Sequence, residues 1–321
     1  MNKFMISLLI ITIGFSLTSL PSHASTDPFP NRSIKIIVPY KAGGGVDSYA
    51  RAIAKTKIAG ENSKFVIINR AGSAGLNGAV RILKSKADGY NLLLVSGSSL
   101  VLSSLSRQSV VDPLNSFEFI AQIGQLNTAL MVPKSSPFHS VGDLLTAIKR
   151  DPKKYRWGHS GRGSFHHISG LGFLNANHIQ LQDIPFKGGA PARAALISKQ
   201  VDFAFIGLQQ VKHFERHLRA LAVNSANRDL VLRNIPTFDE LNIPHFNLGS
   251  PVILLAPKAT PKAIITKLTR TFAEISSNES FITALSKQGL APLFKQPQQA
   301  KSELTQITTK VKPILLKRSL P

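Results

Sequence analysis

The sequence predicts an α/β protein built as two lobes around a central cleft, and three observations carry that prediction. Short continuous apolar runs, the mark of strands buried on both faces, alternate with segments of helical periodicity. The chain has 321 residues, more than a single hydrophobic core usually organises. Strand-like segments, not Gly/Ser-rich linkers, run through the places where the two halves would join.

The opening stretch has Lys3 as its one charge, then a long apolar run, then Ser22-His23-Ala24, the small-x-small pattern that signal peptidase accepts. Residues 1–24 are therefore expected to be a cleavable signal peptide that exports the chain. A membrane anchor is the competing reading, but Gly14 and Pro21 interrupt a run near the lower length limit for a span. With no cysteine anywhere, a lipid-anchored form, disulfides and thiolate metal sites are all excluded.

Next come IKIIVPY at 34–40, FVII at 65–68 and LLLV at 92–95, read as parallel strands joined by crossover helices. Tyr49, Ala50, Ile53, Ala54 and Ile58 recur at three- and four-residue spacing, with Arg51, Lys55 and Lys57 largely opposite, which predicts a helix docked by one apolar face. From residue 117, FEFIAQIGQLNTALMVPK reads as two extended segments broken near 124–127, and the helix VGDLLTAIKR follows. A second lobe is expected to begin there. YRWGHS, IPFK, VDFAFIG and LRALAVNS are its strand-like runs, and GSPVILLAPK carries the chain back. Ile264, Ile265, Leu268, Phe272 and Ile275 mark an amphipathic helix begun by Pro261; a polar helix spans about 297–311, and the tail KPILLKRSLP is expected on the surface. The lobes are thus placed at 25–125 with 251–321, and at 126–250.

The formal net charge is +22 and falls by one when Lys3 leaves with the leader, so an anionic ligand or partner fits the whole-molecule field. Nucleic acid does not fit the distribution. Lys and Arg are scattered over helices such as RAIAKTK and ITKLTR, without a basic run or interleaved aromatics.

Three glycine-containing loops each follow a strand and open a helix, an arrangement that points backbone N–H groups and a helix N-terminus at an anion. The first runs from Lys41 through Ala42, Gly43 and Gly44 to Asp47, where Asp47 either caps the helix or contacts the ligand. The second runs from Ser160 through Gly163 and Ser164 to His166; Ser164 is an N-cap, a ligand donor, or both. The third places Lys187, a candidate counter-charge, and Gly188 before Pro191 at a first helical turn. Ser96 and Ser98, after LLLV, are expected to add hydroxyls to the same mouth or to form a plain turn.

Enzyme signatures fail on residue identity. Gly158-His159-Ser160-Gly161-Arg162 lacks the last glycine of a nucleophile elbow. Gly161-Arg162-Gly163 lacks the third glycine of a dinucleotide fingerprint, and Gly43-Gly44-Gly45 has no following Gly-Lys-Ser/Thr. His166 and His167 are adjacent and so diverge on a helix, and no acidic or Cys partner stands at ligand spacing, so a packing or hydrogen-bonding role is expected and no metal.

An ordered set of motifs resembles the tripartite tricarboxylate transporter receptors, also called Bug-type periplasmic binding proteins. FPNRSIKIIVPY with AGGGVD is similar to the family's opening strand and ligand loop, NRAGSAGLNG and ADGYNLL to its next two signatures. SGRGS with His166, PFKGGAPA, QVD, LAV with Arg228, PT with Glu240-Leu241, and AP with Thr260-Pro261 follow in family order, nearly over the full length. The resemblance implies a type II periplasmic-binding-protein fold that closes on a small carboxylate held by loop amides, hydroxyls and waters. It implies a monomer without catalysis or cofactor, delivering ligand to membrane permease subunits or presenting it to a periplasmic sensor protein. Two departures stand out: Leu248 precedes Gly249 where relatives often carry an aromatic, and Phe205–Gln209 is neutral where many carry an acid. A ligand ammonium would lack a partner there, so a plain carboxylate is expected over an amino acid.

Overall fold

The computed structural model describes residues 29–56, 64–107 and 109–316. The expected leader, and Lys57 and Ile58 of the first helical stripe, lie outside the described residues.

The first apolar runs form β1 (Ile34–Val38), β2 (Phe65–Asn69) and β3 (Asn91–Ser96), with α1 (Gly45–Lys55) and α2 (Leu76–Leu83) as crossovers. β1 lies parallel to both β2 and β3. After β3 the chain enters α3 (Gly97–Ser106) and then the long strand β4 (Phe117–Leu126). One residue, Asn127, separates β4 from β5 (Thr128–Pro133), which belongs to a different sheet. The second sheet is completed through α4 (Val141–Arg150), β6 (Trp157–His159), α5 (Phe165–Ala176), β7 (Asp183–Pro185), α6 (Gly189–Ile197), β8 (Phe203–Gly207) and β9 (Leu218–Asn224). β10 (Ser250–Pro257) then returns to the first sheet, followed by α7 (Lys262–Ser277), α8 (Glu279–Ser286), β11 (Pro292–Lys295) and α9 (Pro297–Leu316).

The result is a six-stranded sheet ordered β11-β4-β10-β3-β1-β2 and a five-stranded sheet ordered β7-β6-β8-β5-β9. β10 runs antiparallel between β3 and β4, and all eight of its residues are buried. The first core is aliphatic, centred on Ile36, Leu93, Val95, Ile253 and Leu254. The second is aromatic, with Trp157, Phe173, Phe203, Phe205 and Phe238 all fully buried. α4 starts on a capping box in which Ser140 and Asp143 satisfy each other's backbone N–H groups.

Three local expectations change. In α1 the buried face is Val46, Tyr49, Ala50 and Ile53, joined by Ala52, while Ala54, in the last turn before the helix ends at Lys55, is exposed. α3 had no counterpart in the sequence reading: its serines and leucines are buried nearly all round, so no polar face betrays its period. α9 continues to Leu316, so the tail from Lys312 is helical at first; Pro313 costs one backbone bond without ending the helix.

Candidate ligand-binding site

The carboxyl ends of β1 and β3 in one sheet, and of β6 and β7 in the other, feed α1, α3, α5 and α6. Their helix N-termini converge on one buried cavity of about 40 Å³. At roughly 10–15 Å³ for each ordered water, that is room for about three waters or one carboxylate group.

The four helices arrive in two chemical states. α3 is capped by Ser96, whose Oγ accepts from Ser99 N, and α5 by Ser164, whose Oγ accepts from His167 N. α1 and α6 begin at Gly44 and Gly188, and neither has a side-chain cap. Gly44, Gly45 and Val46, and Gly188 and Gly189, line the cavity. Two helix ends with unsatisfied N–H groups and the positive pole of their dipoles therefore face the same small space.

The side chains around it are polar but uncharged. Tyr40, Ser96, Ser99, Ser160, His166 and Gln209 line the cavity, with Leu126 and Phe165 as apolar wall. His166 Nε2 is buried without a hydrogen-bond partner, an arrangement that invites a ligand, and Tyr40 Oη lies beside the Ser96 and Ser99 hydroxyls. Burial raises the Tyr40 phenol well above its ordinary pKa, so it remains a neutral donor. Burial pushes His166 down to about 3, with the neighbouring His159 adding to the shift, so this imidazole is neutral too. Its Nδ1 lies 2.5 Å from Ser160 Oγ, which is also 3.2 Å from Ser164 Oγ.

A second cavity of about 250 Å³ shares Tyr40, Ser160 and Gly188 with the first. It carries the site's cations: Arg107, Arg162 and Lys187 line it, beside Pro39 and Phe186. No Asp or Glu lines either space. A larger, open depression of about 540 Å³ is lined by Lys149, Pro152, Asn175 and Gln180, and none of the glycine loops reaches it.

The residues expected at the site divide accordingly. Gly44, Ser96, Ser160, His166 and Gly188 line the inner cavity, and Lys187 the outer one. Ser164 caps α5 and hydrogen-bonds Ser160 from behind. Asp47 is buried and braces the first loop: its carboxylate accepts from Gly43 N at 2.9 Å, Arg51 Nε at 2.7 Å and Asn69 Nδ2 at 2.9 Å. Ala42 and Gly43 are exposed; the Gly43 carbonyl accepts from Gln210 Nε2 of the opposite sheet's lobe at 3.3 Å. Gly163 takes φ +76° to turn the second loop without lining the cavity. Ser98 points away, donating to the Gly249 carbonyl at 2.7 Å. Gly45, Gly189 and Ser99 belong to the loops read from the sequence, whereas Tyr40 and Gln209 were not singled out; the strand-end position of Tyr40, immediately before a glycine loop, was the available signal. Sequence reasoning also found no acidic partner for the histidines, whereas the fold brings Asp183 to His159 and His167.

A model of the family described as "Tripartite tricarboxylate transporter family receptor" matches residues 50–320. Protein BugT of Bordetella pertussis is 29% identical over 298 residues, covering 92% of this chain and 91% of its own. Among solved structures, the periplasmic binding protein BugD superposes with a TM-score of 0.84 at 26% identity, covering 90% of this chain and 98% of that one. The R. palustris protein Rpa4515, solved with adipate, gives a TM-score of 0.82 at 28% identity, covering 89% and 97%.

Proposed function

We propose, from the premise that the chain belongs to the tripartite tricarboxylate transporter receptor family of periplasmic solute-binding proteins and is not an enzyme, that it captures a small carboxylate and delivers it to membrane permease subunits. One observation carries the carboxylate: two helix N-termini without side-chain caps meet at a cavity of one-carboxylate size walled by neutral donors. Such a site stabilises an anion by fixed dipoles and hydrogen bonds while placing no counter-ion inside. An anionic ligand selects the arrangement in which Ser160 donates to His166 Nδ1, leaving Nε2–H to donate to the ligand. Tyr40 and Ser99 supply further hydroxyls, and Ala42, Gly43 and Asp47 shape the first loop.

The rest of the ligand extends past Tyr40 and Ser160 toward Lys187. A carboxylate without an amino group fits best, because neither cavity offers an acid to an ammonium; the adipate held by the R. palustris relative is of that kind. The lobes, 25–125 with 251–321 and 126–250, close over the ligand about the segments near Asn127 and Ser250. Ligand that binds the closed form shifts the population toward it.

Native mass spectrometry of the mature protein purified from its own host, followed by calorimetric titration with adipate, citrate, glutamate and aspartate, tests the reading. A bound carboxylate acid is expected. Selective binding of an amino acid overturns the ligand class. An empty protein that binds none of the four overturns the receptor role and leaves presentation of its own surface to a sensor protein.

A further inference from the structure

We propose that His159, His167 and Asp183 form a latch that positions the ligand loop Ser160–Ser164 and holds only while both imidazoles are neutral, which makes carboxylate binding acid-sensitive. The ligand half of this inference rests on the receptor reading above; the latch itself does not.

The three residues come from three elements: the end of β6, the first turn of α5 and the start of β7. Both histidines are buried, with ring centroids 4.3 Å apart against the Trp157 indole. His159 Nε2 lies 2.9 Å from Asp183 Oδ2, and His167 Nε2 lies 3.8 Å from the same oxygen. Arg162 Nη2 takes the other carboxylate oxygen at 3.2 Å. The opposite edges of the rings face the loop backbone. Gly161 N–H donates to His159 Nδ1 at 3.2 Å, and Gly163 N–H donates to His167 Nδ1 at 3.2 Å.

A backbone amide can only donate, so each Nδ1 must present a lone pair and each neutral ring carries its proton on Nε2, toward Asp183. The two amide bonds fix Gly161 and Gly163 at φ +128° and +76°, the turn that sets Ser160 and Ser164 beside the cavity. The histidines and Asp183 are thus positioning residues that never touch the ligand.

The same three side chains could gather round a metal ion, their ligand atoms lying within 4.8 Å of one another. The loop opposes that use. A metal on Nε2 moves the ring proton to Nδ1, where a metal-bound histidine donates to an acceptor; here Nδ1 meets an N–H instead. Protonation meets the same obstacle: an imidazolium sets an Nδ1–H against each amide N–H and breaks the latch. Charged and titratable groups facing the pair include Asp183, Arg162, each other and His166, which burial keeps neutral down to about pH 3. Affinity is therefore complete while both rings are neutral and is lost once acidification protonates them.

The test compares the native protein with the His159→Asn, His167→Asn double variant, because Asn Oδ1 can replace Nδ1 as acceptor and cannot be protonated in this range. Nitrogen-15 NMR reads the imidazole tautomers and the Gly161 and Gly163 amides against pH, and calorimetry reads adipate affinity. We expect Nε2–H tautomers in the native protein, with the two glycine amides shifting as the rings titrate. We expect native affinity to fall at least about ten-fold over the pH step in which the nitrogen-15 signals report ring protonation, and the variant to change by no more than about two-fold over the same step. Adipate's own protonation is common to both proteins. Equal pH profiles, or Nδ1–H tautomers, overturn the latch, and zinc-induced shifts at both rings that the variant loses replace it with a metal site. Should the variant not fold, the tautomers and glycine amides of the native protein decide the matter alone. Adipate that binds at no pH counts against the receptor reading, and the NMR measurement still decides the latch.

Discussion

Gly45 shows how tightly the inner cavity is drawn. A Cβ there would stand 2.5 Å from Gln209 Nε2 and 2.6 Å from Leu126 Cδ2, both of them cavity walls. These side-chain ends can swing, so Gly45→Ala is expected to fold, while ligand affinity falls at least about ten-fold, or about 1.4 kcal/mol; calorimetry on the melting-competent variant checks it. Asp47 braces the fold around the first loop. Its buried carboxylate holds Gly43, Asn69 and Arg51, of which Arg51 is half exposed and contributes least. Asp47→Ala leaves those donors unpaired and is expected to cost about 2–3 kcal/mol, read as a fall in denaturation midpoint at unchanged slope.

At the scale of elements, the contrast between capped and uncapped helices yields a prediction with two opposite signs. Gly44 sits at the N-cap of α1 with φ −86° and ψ 169°, a conformation open to any residue, and a Cβ there meets nothing closer than 3.7 Å. Gly44→Asp would supply the helix with its own anion. Stability should rise by only a few tenths of a kcal/mol while ligand affinity collapses, because the ligand's place is taken; thermal melting and titration on one variant separate the two effects. The glycine loops were legible in the sequence because strand, glycine and helix start are all local patterns. Tyr40 and Gln209 were not, since each reaches the cavity through the packing of a different element. The same limit hid Asp183, which stands 24 residues from His159 and meets it only through the parallel pairing of β6 with β7. α3 escaped notice for another reason: a helix buried on nearly every side has no amphipathic period to read.

For the whole molecule, named hydrogen bonds tie one lobe to the other at the cleft. Gln210, which accepts from Arg193 Nη1 of its own lobe at 2.7 Å, donates to the Gly43 carbonyl, while Phe165 N donates to Ser99 Oγ at 3.2 Å. Gln210→Ala should leave each lobe intact and weaken closure: small-angle scattering is expected to show a smaller contraction on adding adipate than in the native protein. The two-lobed plan was legible because apolar runs outnumber what one sheet can take, and the extended segments around residues 126 and 250 have no linker composition. The charge of +22 was equally plain, and it predicts that a dianionic ligand associates at a rate falling steeply with ionic strength, checked by stopped-flow at two salt concentrations.

The position of β10 has a consequence in time. This strand fills the gap between β3 and β4, yet it is made about 120 residues after β4, when the whole five-stranded sheet has already emerged. Until it arrives, two long apolar strands stand with open edges and nothing between them, and the first lobe cannot close its core. A chain emerging from its N-terminus therefore completes its second lobe first and its first lobe last, and it stays loose and threadable for most of its synthesis.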